Sequence, residues 1–128
     1  MNSHIEKAMA LRNEVPMVNN CAQTLLRVYA DELGLNEETA ANLACNFGGG
    51  MKCGGTCGVI TGALMVLGAK GITDAGKVNS VRKEIALSHE GLTDCAELLK
   101  ANAAKGGEKK AHCDSMIKQA IEIIDKLQ

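Results

Sequence analysis

Six cysteines, at positions 21, 45, 53, 57, 95 and 113, are the side chains of this 128-residue chain best suited to chemistry. As thiolates they attack disulfides and bind soft metals. Two of them stand in the run Lys52-Cys53-Gly54-Gly55-Thr56-Cys57-Gly58-Val59-Ile60-Thr61-Gly62, ahead of an apolar stretch that reads as helix. A thiol in the first turn of a helix meets the positive end of the helix dipole, which favours its thiolate. Cys57 is therefore the expected attacking, catalytic thiol. Cys21 follows Asn20, and Cys95 lies two residues after a capping Thr93, so three cysteines fall at predicted helix starts. Cys113 falls in the second turn of the last predicted helix, where the dipole is weaker. Cys53-x-x-x-Cys57 is not the Cys-x-x-Cys of thioredoxin-like centres or zinc knuckles. Buried free cysteine often acts as a small hydrophobe, the reading preferred for Cys45 within a predicted helix.

The elements that must position these thiols read as helices throughout. Apolar residues of the predicted helix 21–33 recur at Ala22, Leu25, Leu26, Tyr29 and Leu33, the spacing of one helical face. A short helix over 3–13 precedes it, stopped by Pro16. Asn36 caps a helix running to about Phe47. Thr56 caps the next, Cys57 to Lys70, which is apolar nearly all round and so is expected to be the buried central helix. Gly62 and Gly68 in it suit close approach of a neighbour. Further helices are predicted from Thr73-Asp74 to Gly91, with Val78, Val81, Ile85, His89 and Leu92 inward, over 94–104 and over 108–127. Nothing alternates with period two for long enough to be a strand. The expected fold is an all-α single domain over 1–128, a bundle of about five to six helices.

Composition narrows the function. Hydrophobic residues make up 46% of the chain and aromatics 2%, so the core is aliphatic and there is little for bases to stack on. With a net charge of −1 and no basic face, nucleic-acid binding is not expected. The longest apolar run, Val59 to Ala69, is too short to span a bilayer, and the polar N-terminus carries no signal-peptide core; a cytoplasmic protein without membrane insertion is expected. In a reducing compartment six cysteines favour metal or redox chemistry over structural cross-links. The apolar helix is compatible with a homodimer. His112 is read as a surface residue and His89 as a core histidine. The Gly48–Gly55 loop lacks the phosphate-cradle pattern, and the Cys-x-x-Cys-His pattern of covalent haem is absent.

Cys21, Gly49-Gly50-Met51 leading into Thr56-Cys57-Gly58-Val59-Ile60-Thr61-Gly62-Ala63-Leu64, then Cys95-Ala96-Glu97-Leu98-Leu99 and Cys113, resemble the C_GCAxxG_C_C family of small redox-active proteins. The likeness runs from about Asn19 to the C-terminus. It implies Cys21, Cys57, Cys95 and Cys113 as the four family cysteines, with Gly58 and Gly62 as motif glycines at a cofactor-binding site. Val59 replaces the usual Ala, and Cys45 and Cys53 are additions. Three functions fit. Four cysteines match the ligand count of an iron–sulfur cluster used in electron transfer with a redox partner, the leading expectation. A metal-free thiol–disulfide protein, with Cys57 attacking and Cys53, Cys21 or Cys95 resolving, is the second. A structural zinc site of four thiolates is the third. The residues leave open whether the protein is an enzyme.

Overall fold

The computed structural model describes residues 2–128. Among them are seven α-helices: α1 (Ser3–Arg12), α2 (Cys21–Tyr29), α3 (Glu37–Ala44), α4 (Gly58–Ala69), α5 (Ala75–Ser88), α6 (Cys95–Ala104) and α7 (Lys109–Leu127). The fold is all-α as expected, with more helices than the five to six anticipated. No strand forms among the described residues; the only sheet-like pairing is an isolated antiparallel bridge between Thr56 and Asp94.

Capping side chains set several of the starts. Asn20 accepts from the Gln23 amide at 2.8 Å, and Gln23 Oε1 accepts from the Asn20 amide at 3.1 Å, a reciprocal capping box that fixes where α2 begins. Asn36 accepts from the Thr39 amide and Asp74 from the Lys77 amide, doing the same for α3 and α5. The α4 cap falls one residue later than expected, on Cys57 rather than Thr56, because Thr56 is held in the bridge to Asp94. α2 ends at Tyr29 rather than Leu33, as the chain turns through Ala30–Gly34. The 45–47 stretch tightens from α-helix into a 3-10 turn.

One hydrophobic cluster draws on all seven helices, from Ala8 and Leu11 of α1 to Ile121 and Ile124 of α7. The apolar α4 packs on α2, α5 and α7. It does not stand alone at the centre. Leu64 and Met65 are half-buried and Gly68 and Ala69 exposed, while α2 packs against α1, α3, α4 and α7 and buries six of its nine residues. The centre is a pair of crossed helices. Glycine explains the closeness of the pair. A Cβ on Gly62 would lie 3.2 Å from Leu25 Cδ1 and 3.3 Å from Ala22 Cα; one on Gly58 would lie 2.9 Å from the Phe47 carbonyl oxygen and 3.3 Å from Cys21 Sγ.

Gly68 lies in the same helix with no such neighbour within 4 Å. Gly58→Ala is therefore expected to cost about 1–3 kcal/mol through overpacking. Gly68→Ala is expected to add about 0.5–1 kcal/mol by reducing the freedom of the unfolded chain. Urea midpoints of the two variants check this; equal effects would remove close packing as the reason for Gly58.

Candidate redox site

Two short backbone connections bring distant cysteines together. Around the Thr56–Asp94 bridge, the Cys57 amide donates to the Thr93 carbonyl at 2.9 Å and the Cys95 amide to the Gly55 carbonyl at 2.7 Å. The starts of α4 and α6 are thereby clamped side by side. The α2–α4 crossing then sets Cys21 next to Gly58, and α7 closes the site with Cys113. The glycine loop makes the last wall. Gly50 has φ +65°, and a Cβ there would lie 2.9 Å from Cys95 Cβ and 2.4 Å from the Gly55 carbonyl oxygen, so only glycine fits.

Cys21, Cys57, Cys95 and Cys113 line one cavity of about 20 Å³, with Leu98, Leu99, His112 and Met116. Cys57 is its buried floor, 5% exposed. The other three also face an outer cleft of about 280 Å³, bordered by Arg12, Lys109, Lys110, Met17 and Leu99. Cys45 and Cys53 line neither space. Cys45 follows α3, where its carbonyl accepts from Asn20 Nδ2 at 3.1 Å; Cys53 is exposed on the glycine loop. All six are free thiols. Gly58 touches the site through its contact with Cys21, whereas Gly62 lies a turn away in the helix crossing.

The electrostatics reverse the order expected from helix position. Burial pushes the Cys57 thiol up to about 11, although the Val59 and Ile60 amides at the start of α4 pull the other way. Desolvation outweighs the dipole because almost no water reaches this sulfur. Burial also raises Cys95. Cys21 and Cys113 are neighbours around the cavity, and each thiol affects how readily the other ionises. Their interaction is the largest cause raising Cys21, and the largest drawing Cys113 down, to about 7. Burial opposes the fall at Cys113, while the Arg12 and Lys109 charges assist it. Cys113, the cysteine farthest into its helix, is thus the thiol most ready to ionise.

Arg12 escaped the sequence reading. Arg12 ends α1, where a cation ordinarily just complements the helix dipole. In the fold it is 4% exposed, held by Asp114 at 2.7 Å and the Asn19 carbonyl at 2.7 Å. The two histidines differ from expectation as well. His112 is half-buried against the cysteine cavity rather than on the surface, and burial lowers its pKa. His89 is not a core residue; α5 ends at Ser88, and His89 caps it, half-buried, 3.2 Å from Gln119 Oε1 and edge-on to His112.

Among the described residues, no three His, Cys, Asp or Glu side chains stand close enough to hold a metal ion, and no helix is long and apolar enough to cross a membrane. The fold is all-helical among the described residues, with four thiols carried by four helices around one small cavity. The sequence model of the family described as "Putative redox-active protein (C_GCAxxG_C_C)" matches residues 19–127, and the chain belongs to that family. No curated protein and no solved structure matches the chain.

Alkylation by iodoacetamide, mapped peptide by peptide against pH, checks the order of the thiols. Cys113 is expected to reach half its maximal rate near pH 7 and Cys57 only near pH 11, since the thiolate is the reacting form. Lys109→Gln removes a favourable charge and shifts the Cys113 midpoint upward. Cys57 reacting at lower pH than Cys113 would contradict the assignment.

Proposed function

We propose that the protein is a thiol–disulfide redox protein working through Cys113 and Cys21. The carrying observation is that these two thiols line both the small cavity and the open cleft, beside buried Arg12. In the first step the Cys113 thiolate attacks one sulfur of a substrate disulfide. A Cys113–substrate mixed disulfide forms, and the other half of the substrate leaves as a thiolate. Cys21 then loses its proton to solvent or to that thiolate, and its sulfur attacks Cys113. The Cys21–Cys113 disulfide forms and the second substrate thiolate departs. Two electrons pass from the cysteine pair to the substrate, and an external thiol reductant restores the pair.

In this reading Cys57 is the dry floor of the site and not the attacking group, because a thiol held protonated is a poor nucleophile. Gly58 gives the Cys21 sulfur room, and Gly62 serves through the helix crossing. Cys95 faces both the cavity and the cleft and is a second candidate for resolving the mixed disulfide. A cytoplasmic location suits a thiol protein that must be kept reduced.

Ligation of an iron–sulfur cluster by Cys21, Cys57, Cys95 and Cys113 is the second reading, favoured by the convergence of four thiols on one cavity. The donor chemistry suits it; the space does not. A cavity of about 20 Å³ is on the scale of one water, and a cluster needs the α6–α7 wall to withdraw. A single zinc ion needs less room, though the sulfurs must still draw together to bonds of about 2.3 Å.

The test is anaerobic purification, followed by metal and acid-labile sulfide analysis and oxidation with a limiting disulfide. The expected product is a Cys21–Cys113 disulfide in a metal-free protein, with Cys21→Ser accumulating the mixed disulfide on Cys113. Stoichiometric iron and sulfide, with visible absorption lost in Cys113→Ser, would instead establish the cluster.

A further inference from the structure

We infer that the outer cleft binds small anionic disulfides, with the ligand's carboxylates held by Lys109 and its neighbours and its sulfur–sulfur bond laid on Cys113. This rests on the thiol–disulfide reading and names the substrate class for it. The cleft of about 280 Å³ lies near the lower end of small-ligand pocket sizes, too narrow for a folded chain to enter. Its wall combines the chemistry such a ligand needs. Cys21, Cys95 and Cys113 present sulfur, Met17 and Leu99 give an apolar face for the ligand's carbon and sulfur atoms, and Arg12, Lys109 and Lys110 supply positive charge.

The charges are unevenly committed. Arg12 and Lys110 both hold Asp114, at 2.7 and 2.8 Å, so one carboxylate partly offsets two cations. Lys109 makes no ion pair among the described residues and is exposed at the cleft rim, close enough for its charge to act on both Cys95 and Cys113. A chain with a net charge of −1 thus concentrates three cations around its three accessible site thiols. Such a patch attracts an anion and repels a cation on approach. Lys109, with its flexible stem and unpaired ammonium, is the group best placed to meet an incoming carboxylate.

The experiment compares two disulfide probes by stopped flow on the reduced full chain carrying Cys45→Ser and Cys53→Ser. One is dianionic, 5,5′-dithiobis(2-nitrobenzoate); the other is neutral, 2,2′-dithiodipyridine. The readout is the anionic-to-neutral rate ratio of the phase lost in Cys113→Ser. Both probes react with the same thiol, so its degree of ionisation cancels in the ratio. Lys109→Glu is expected to lower the ratio about tenfold, Lys109→Gln by less, and added salt to lower it in the parent. Lys77→Glu makes the same change in net charge on α5, outside the cleft, and is expected to leave the ratio within about twofold. A Cys113-dependent phase whose ratio ignores both Lys109 variants, or falls equally in Lys77→Glu, overturns the anionic-ligand inference and leaves the thiol–disulfide reading standing. Absence of any Cys113-dependent phase with either probe overturns that reading, and this inference with it.

Discussion

Gly58 and Gly62 let α4 lie directly on the Cys21–Ala22 end of α2, and the cysteine centre depends on that closeness. A side chain at Gly58 would press on the Phe47 carbonyl and the Cys21 sulfur, and one at Gly62 would crowd Ala22 and Leu25 of α2. The Thr56–Asp94 bridge adds the second coordinate by clamping the starts of α4 and α6. With those two constraints met, Cys21, Cys57 and Cys95 are held by backbone geometry, and only Cys113 depends on how α7 docks. The aliphatic face of α7, from Met116 to Ile124, secures that docking by burial in the common core.

Desolvation then sorts four similar thiols into different roles. Helix starts favour thiolates, but a sulfur cut off from water loses far more solvation than the amides of one turn return. Cys57 illustrates the outcome. Cys113 escapes it by a different route: its neighbour Cys21 and the charges of Arg12 and Lys109 draw it down. The two thiols shift in opposite directions, Cys21 up and Cys113 down.

Much of this was legible in the chain. Asn19 or Asn20, Asn36 and Thr73-Asp74 mark helix starts because capping chemistry is local, and the apolar spacing of α2 and α7 reports their buried faces directly. The family motif picks out the four cysteines that the fold gathers, and sets apart Cys45 and Cys53, which it does not. What stayed hidden depends on contacts between distant segments. Arg12 carries no signal in the sequence, because its role appears only when α1 folds against α7 and buries it beside Asp114. The uniform apolarity of α4 overstated its burial, since one side of the helix stays partly open at Leu64 and Met65. His112 reads as exposed because adjacent helix residues point about 100° apart, which sets it off from Cys113, but in the fold it lines the same cavity.

The central claim is that Cys113 and Cys21 form one two-electron couple. Its most direct measurement is a redox titration in defined thiol–disulfide buffers, following the ¹³Cβ resonances of the assigned cysteines by NMR. Cys21 and Cys113 are predicted to move together to disulfide shifts at a single two-electron midpoint, with Cys57 still a thiol and the helices intact. Separate midpoints for Cys21 and Cys113, or oxidation of Cys57 with either one first, would contradict it.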